Sequence, residues 1–279
     1  MKRCGVLLAG FGLMSVSVGC GDAVVGRAVP LFGTEITIND RPVGSAVIDT
    51  GGGYELILRE PFGLELVGTA EVLAFGGLES VSVTEGFDYV AGGLAAKAEG
   101  ALVGVSVCDC NGLGFFFFRK TGAVLELDFA RSTARFLPAL PTADVRLPFA
   151  APPPQLPGFD TAFLNVTVEA DDGARTVRAL LDSGTTRSVL RRGIVTGVAP
   201  PGQPNRLDVR IAEPRLGTVA VRVELFDTPG LPDLIVGTDV LPAWADRWYF
   251  AYFDQGGEIR AVLREPVVDD SGTAAARAR

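Results

Sequence analysis

Apolar and polar residues alternate along Glu35-Ile36-Thr37-Ile38 and again along Leu164-Asn165-Val166-Thr167-Val168, as in strands with one face buried. Each stretch is followed by a short apolar run ending on an acidic residue, Ala46-Val47-Ile48-Asp49 and Ala179-Leu180-Leu181-Asp182. Runs of this kind read as buried strands. Two more lie at Ala101-Leu102-Val103-Gly104 and Leu234-Ile235-Val236-Gly237, and each half closes on a hydrophobic run with an acidic turn, at 123–129 and 248–254. With 35 Gly, 18 Pro and abundant Val and Thr, short strands and turns are favoured over long helices. The pattern predicts an all-β protein.

The elements also repeat. Asp49-Thr50-Gly51 and Asp182-Ser183-Gly184 end matching strands, and the interval from each Asp to the downstream Gly104 or Gly237 is 55 residues in both halves. Two motifs held at one spacing predict an internal duplication, with similar lobes over 28–137 and 158–265. The stretch 138–157 holds seven of the 18 prolines and reads as an extended, semi-rigid linker. The end, 266–279, reads as a frayed tail. In each Asp-Thr/Ser-Gly triplet, glycine permits a tight turn and the close approach of another backbone. One carboxylate from each lobe can then face the other across a pseudo-twofold axis.

Composition narrows the chemistry. The 279 residues suit one large domain or two lobes, and 48% hydrophobic against 21% charged residues is globular. The absence of histidine excludes a Ser-His-Asp triad, a Cys-His pair and a His-ligated zinc. A net charge of −8 argues against nucleic acid as a partner.

The first residues concern location. Met1-Lys2-Arg3 is basic, and the 14 residues from Gly5 to Val18 are apolar or small, too few to span a bilayer. Residues 1–19 read as a signal peptide. Ser17-Val18-Gly19-Cys20 resembles a bacterial lipoprotein box, although Ser17 stands where Leu is usual, and lipidation of Cys20 is favoured over an ordinary signal peptide cut nearby. That predicts an exported protein, lipid-anchored to the outer membrane and facing the periplasm or the cell surface. The Cys108-Asp109-Cys110 pair allows only a very small disulfide ring and reads as structurally incidental.

Asp49-Thr50-Gly51 and Asp182-Ser183-Gly184-Thr185-Thr186, with the hydrophobic-hydrophobic-Gly motifs ending at Gly104 and Gly237, resemble the pepsin-like and retropepsin-like aspartic proteases. The resemblance covers nearly the whole chain after the signal peptide. It implies two similar β-barrel-like lobes and a hydrophobic-hydrophobic-Gly strand beside each aspartate loop. It also implies catalytic Asp49 and Asp182, with Thr50, Gly51, Ser183, Gly184 and Thr185 in support. In the dyad of this family two neighbouring carboxyls share one proton, because like charges so close cannot both ionise comfortably. The expected activity is endopeptidic, strongest at acid to mildly acid pH, without metal or cofactor, on an extended peptide or protein held by a monomer.

The chain also departs from the family. Gly52 replaces the Ser or Thr that usually follows the first triplet, so Asp49 is expected to lose one orienting donor. No Tyr-bearing flap is visible; Phe75, Gly76 and Gly77, within Leu73 to Leu78, are the flap candidate, and a plain hairpin turn is the equal alternative. These departures leave open a catalytically inactive envelope lipoprotein that binds extended peptides or partner proteins. Phe115 to Phe118 read as a core strand in preference to a contact in the cleft, Arg187, Arg191 and Arg192 as a solvated helix face, and Asp171-Asp172-Gly173 as a hairpin turn rather than a calcium site.

Overall fold

Ile36 and Ile38 are buried while Glu35 is exposed and Thr37 half-buried, and this alternation seats β1 (Gly33–Ile38) in a nine-stranded sheet. The computed structural model describes residues 31–74, 77–105, 110–156, 159–197, 202–254 and 256–264. The signal peptide, Cys20, Phe75, Gly76, Cys108 and the tail 266–279 lie outside them. The sheet continues with β2 (Arg41–Asp49), β3 (Leu56–Leu58), β4 (Leu66–Ala74), β5 (Gly77–Thr84), β6 (Phe87–Ala91), β7 (Leu94–Ala98), β8 (Leu102–Val103) and β9 (Asn111–Gly114). Its spatial order is β4-β5-β8-β3-β9-β2-β1-β6-β7.

The four consecutive phenylalanines do not form the expected strand. They open a helix, α1 (Phe115–Thr121), closed by Gly122 in the left-handed conformation at φ 66°. A strand would send the rings to two opposite faces, whereas helical rotation distributes them among several partners. Phe115 and Phe118 stack on Tyr252, while Phe117 packs on Tyr89 and Phe136. The expectation of a core position holds: Phe115, Phe117 and Phe118 are fully buried. After α1 come β10 (Val124–Asp128), β11 (Thr133–Leu137) and β12 (Val145–Pro148). β12 lies within the stretch read as a linker.

The second half forms a closed six-stranded barrel from β13 (Phe163–Ala170), β14 (Gly173–Leu181), β15 (Val189–Arg191), β16 (Arg206–Glu213), β17 (Gly217–Phe226) and β18 (Leu234–Val236), ordered β13-β14-β18-β15-β17-β16. Asp171-Asp172 is the two-residue turn between β13 and β14, as expected. The arginines after Asp182 are not on a helix. Val189–Arg191 is a strand, and Arg187, Arg191 and Arg192 pair with Glu224, Asp233 and Asp227. A short α2 (Leu241–Trp244) leads into β19 (Ala245–Tyr252) and β20 (Gly257–Leu263).

The two hydrophobic runs that close the halves meet. β10 pairs antiparallel with β19, Leu125 opposite Phe250 and Leu127 opposite Trp248, inside a five-stranded sheet ordered β11-β10-β19-β20-β12. This sheet joins the halves beneath one continuous apolar core that runs from Phe32 and Ile36 to Trp244 and Trp248. Among the described residues strands account for 54% and helices for 5%, so the all-β expectation holds. No helix among the described residues is long and apolar enough to cross a membrane.

Strand pairing corrects the repeat. β14 runs parallel to β18 with Leu181 opposite Val236; in the first half β2 runs parallel to β9 with Ile48 opposite Leu113 and Asp49 opposite Gly114. The counterpart of Gly237 is therefore Gly114, 65 residues after Asp49, not Gly104. Leu102 and Val103 pair instead with β3 and β5, so the equal 55-residue spacing is a coincidence. The first half carries one additional hairpin. β6 pairs with β1 as β16 does with β13, and β8 runs parallel to β3 as β17 does to β15. The β4–β5 hairpin is left without a counterpart among the described residues of the second half.

Candidate active site

Two parallel strand pairs end at the same place from opposite halves. β2 ends on Asp49 beside β9, and Asp182 follows β14 with its N–H donating to Val236 O at 2.9 Å. The residues after each Asp lock together by four reciprocal hydrogen bonds. Thr50 Oγ1 donates to Leu181 O at 2.9 Å and accepts from the Ser183 N–H at 3.0 Å. Ser183 Oγ donates to Ile48 O at 2.7 Å and accepts from the Thr50 N–H at 3.2 Å. Each hydroxyl is used as donor and acceptor at once, and both are buried. The Thr50 carbonyl is further held by the hydroxyls of Thr161 at 2.9 Å and Tyr252 at 3.3 Å.

This lock has a measurable stability. Thr50→Val keeps the shape of the side chain but leaves the Leu181 carbonyl and the Ser183 N–H buried and unpaired, so urea unfolding should show a loss of about 2–4 kcal/mol. A loss below about 1 kcal/mol would contradict the arrangement.

The lock brings the carboxyls of Asp49 and Asp182 into hydrogen-bonding contact. They are 1% and 0% exposed. The glycines make the approach possible: a Cβ on Gly51 would stand 2.7 Å from Asp182 Cγ, and one on Gly184 would stand 2.7 Å from Asp49 Cγ. The Gly51 N–H donates to Asp49 Oδ1 at 3.0 Å and the Gly184 N–H to Asp182 Oδ1 at 2.7 Å. All six residues of the two triplets are legible in the sequence, and the structure gathers them at one point.

Burial pushes Asp49 up to about 6, held back by hydrogen bonds from Asp182, Tyr54 and the backbone of Gly51 and Gly52. Burial and the neighbouring charge of Asp49 push Asp182 well above the usual carboxylate range. Asp182 Oδ2 is buried, and among the described residues no donor reaches it. Two ionised oxygens in contact would have nothing between them but repulsion, whereas a proton on Asp182 turns the contact into a hydrogen bond. Burial pushes both carboxyls toward the protonated form, and at Asp182 the charge of Asp49 adds to it.

Two expectations about the surrounding donors need correction. Gly52 does not leave Asp49 short of a side-chain donor, because the Tyr54 hydroxyl donates to Asp49 Oδ2 at 3.0 Å. The signal in the sequence is Tyr54 itself, directly after the glycine run, a phenol long enough to reach back where a serine is missing. Thr185 does not offer its hydroxyl to Asp182. Its backbone N–H serves the carboxylate, and its hydroxyl donates to Arg187 O at 3.1 Å.

The unmatched β4–β5 hairpin reaches from the first half to the second: Leu73 Cδ2 lies 3.1 Å from where a Cβ on Gly230 would stand, in the loop before β18. Ala74 pairs with Gly77; of the flap candidate Phe75-Gly76-Gly77, Gly77 opens β5 in this hairpin, and Phe75 and Gly76 lie outside the described residues. Cys110, which leads into β9, is disulfide-bonded. No family model matches the chain, and no curated protein matches it.

Proposed function

We propose that the protein is an aspartic endopeptidase of the two-lobed fold, its halves related by a pseudo-twofold axis through the contact of Asp49 with Asp182. The observation that carries this reading is the reciprocal Thr50–Ser183 lock holding two buried carboxyls together, both pushed toward their protonated form by burial. Its symmetry extends to the glycines, each abutting the other half's carboxyl.

The chemistry follows from the unequal pair. Water placed between the carboxyls loses a proton to Asp49 while its oxygen attacks the scissile carbonyl carbon. Asp182 gives its proton to the carbonyl oxygen, so a neutral gem-diol forms and the charge passes from Asp49 to Asp182. In collapse, Asp49 returns its proton to the leaving nitrogen, the C–N bond breaks, and Asp182 recovers a proton from a diol hydroxyl. The substrate lies extended between the lobes beneath the β4–β5 hairpin, held partly by backbone pairing. Lipidation at Cys20 would anchor the enzyme in the envelope.

Purified residues 21–279 assayed on a mixed peptide library should cleave with a bell-shaped pH profile. The lower limb should sit near pH 6, because Asp49 must be ionised. That places the optimum above the acid range that the sequence resemblance implies. Asp49→Asn should remove cleavage; cleavage that survives it refutes the dyad. A folded chain that cleaves nothing from about pH 3 to about pH 9 would instead favour the peptide-binding, inactive alternative.

A further inference from the structure

Gly52 and Gly112 flank the ring of Tyr54. A Cβ on Gly52 would stand 2.3 Å from Tyr54 Cε1, and one on Gly112 would stand 2.4 Å from the phenol oxygen. Both positions must lack a side chain for the ring to occupy its place. The ring is 6% exposed and packs in a small apolar cluster with Ile57, Val72, Val81 and Val105, of which Val72 and Val81 belong to the β4–β5 hairpin. The same Gly52 Cβ would lie 2.7 Å from Asp49 Oδ2, the oxygen that the phenol already occupies. This oxygen can be served from residue 52 or from residue 54, and the ring excludes the first. Five residues after the other Asp stands Arg187, whose guanidinium turns away to Glu224. A side-chain donor of this kind therefore marks Asp49 and has no counterpart at Asp182 among the described residues.

We infer that Tyr54 is a positioning residue that fixes Asp49 as the proton-accepting member of the pair, through a phenol hydrogen bond standing in for a hydroxyl at residue 52. The inference rests on reading the pair as catalytic. A donor to a carboxylate favours its charged form. The groups facing Asp49 are the Asp182 carboxyl from the opposite loop, the Tyr54 phenol, the N–H groups of Gly51 and Gly52, and at longer range the Tyr252 phenol of β19. Burial and the adjacent carboxylates hold the Tyr54 phenol far above the usual tyrosine value, so it stays a donor.

Tyr54→Phe removes only the oxygen. With carbon-13-labelled aspartate in the full chain, the lower apparent pKa of the pair should rise by about one pH unit, and the acid limb of kcat/KM should move with it. Gly52→Ser alone should damage the site, because the ring blocks the new side chain. Placed in a Tyr54→Leu background, Gly52→Ser should bring the titration back toward the native value and restore part of the cleavage lost in Tyr54→Leu. An unmoved titration in Tyr54→Phe, or a double variant no better than Tyr54→Leu, overturns the inference. A chain that cleaves no peptide but titrates as described supports the positioning role and overturns the catalytic reading. Cleavage whose pH profile ignores Tyr54→Phe does the reverse.

Discussion

Asp182→Asn should abolish cleavage and at the same time make the protein more stable at alkaline pH. The amide retains the Oδ1 acceptor that the Gly184 N–H requires, and its NH2 supplies a donor beside the Asp49 carboxylate in place of the acid proton. The variant thus mimics the protonated carboxyl permanently, with no proton to give. Loss of a general acid in such a site costs about 10²–10⁴-fold in rate.

The stability gain follows from linkage. Both carboxyls hold protons more tightly in the folded than in the unfolded chain, because burial disfavours their charge. Their contribution is therefore fully present below the unfolded value of 3.8 and is lost as pH rises through about 6 and beyond. For Asp49 alone, that rise corresponds to about 3 kcal/mol. Removing the second ionisable group from the pair should raise Tm above that of the native chain by at least about 3 °C at pH 8. The difference should shrink toward zero near about pH 3. Equal Tm values at both pH values would show that the carboxyls do not interact in solution as they do in the structure. The active pair is expected to be a stability cost retained for its chemistry.

The triplets and the strands around them are legible because each depends on local pattern: alternation at Ile36 and Ile38, an apolar run into Asp49, glycine beside the carboxyl. What stays hidden depends on contacts far apart in sequence. The pairing of Leu125 with Phe250 and the bracing of the Thr50 carbonyl by Thr161 and Tyr252 leave no mark on local periodicity. The helix at Phe115 is hidden for a related reason, since four phenylalanines favour a strand by propensity and the demands of Tyr89, Phe136 and Tyr252 override it. Tyr54 escapes any reading that looks for the missing hydroxyl at residue 52, because the donor comes from a longer side chain two residues on.

The reassignment of the repeat from Gly104 to Gly114 carries a large and opposite set of expected stabilities. A Cβ on Gly114 would meet Tyr54 O at 2.3 Å and Gly52 O at 2.6 Å, and one on Gly237 would meet the Arg187 carbonyl carbon at 2.8 Å and its oxygen at 2.9 Å. These are backbone atoms of the aspartate loops, tied to the same strands by Phe115 N–H to Gly52 O and Thr238 N–H to Thr185 O. They cannot yield without moving Asp49 or Asp182. Gly114→Ala and Gly237→Ala should each cost about 4 kcal/mol or more and remove the coupled titration of the pair. Among the described residues nothing lies within 4 Å of a Cβ on Gly104, and only a left-handed φ of 71° is strained, so Gly104→Ala should cost roughly 1–2 kcal/mol and leave the titration in place. Urea unfolding of the three variants, with aspartate titration of those that fold, decides the matter. If Gly104→Ala proved as damaging as Gly237→Ala while Gly114→Ala was mild, β8 rather than β9 would lie beside the first aspartate loop, and the strand order found for the first half would be wrong.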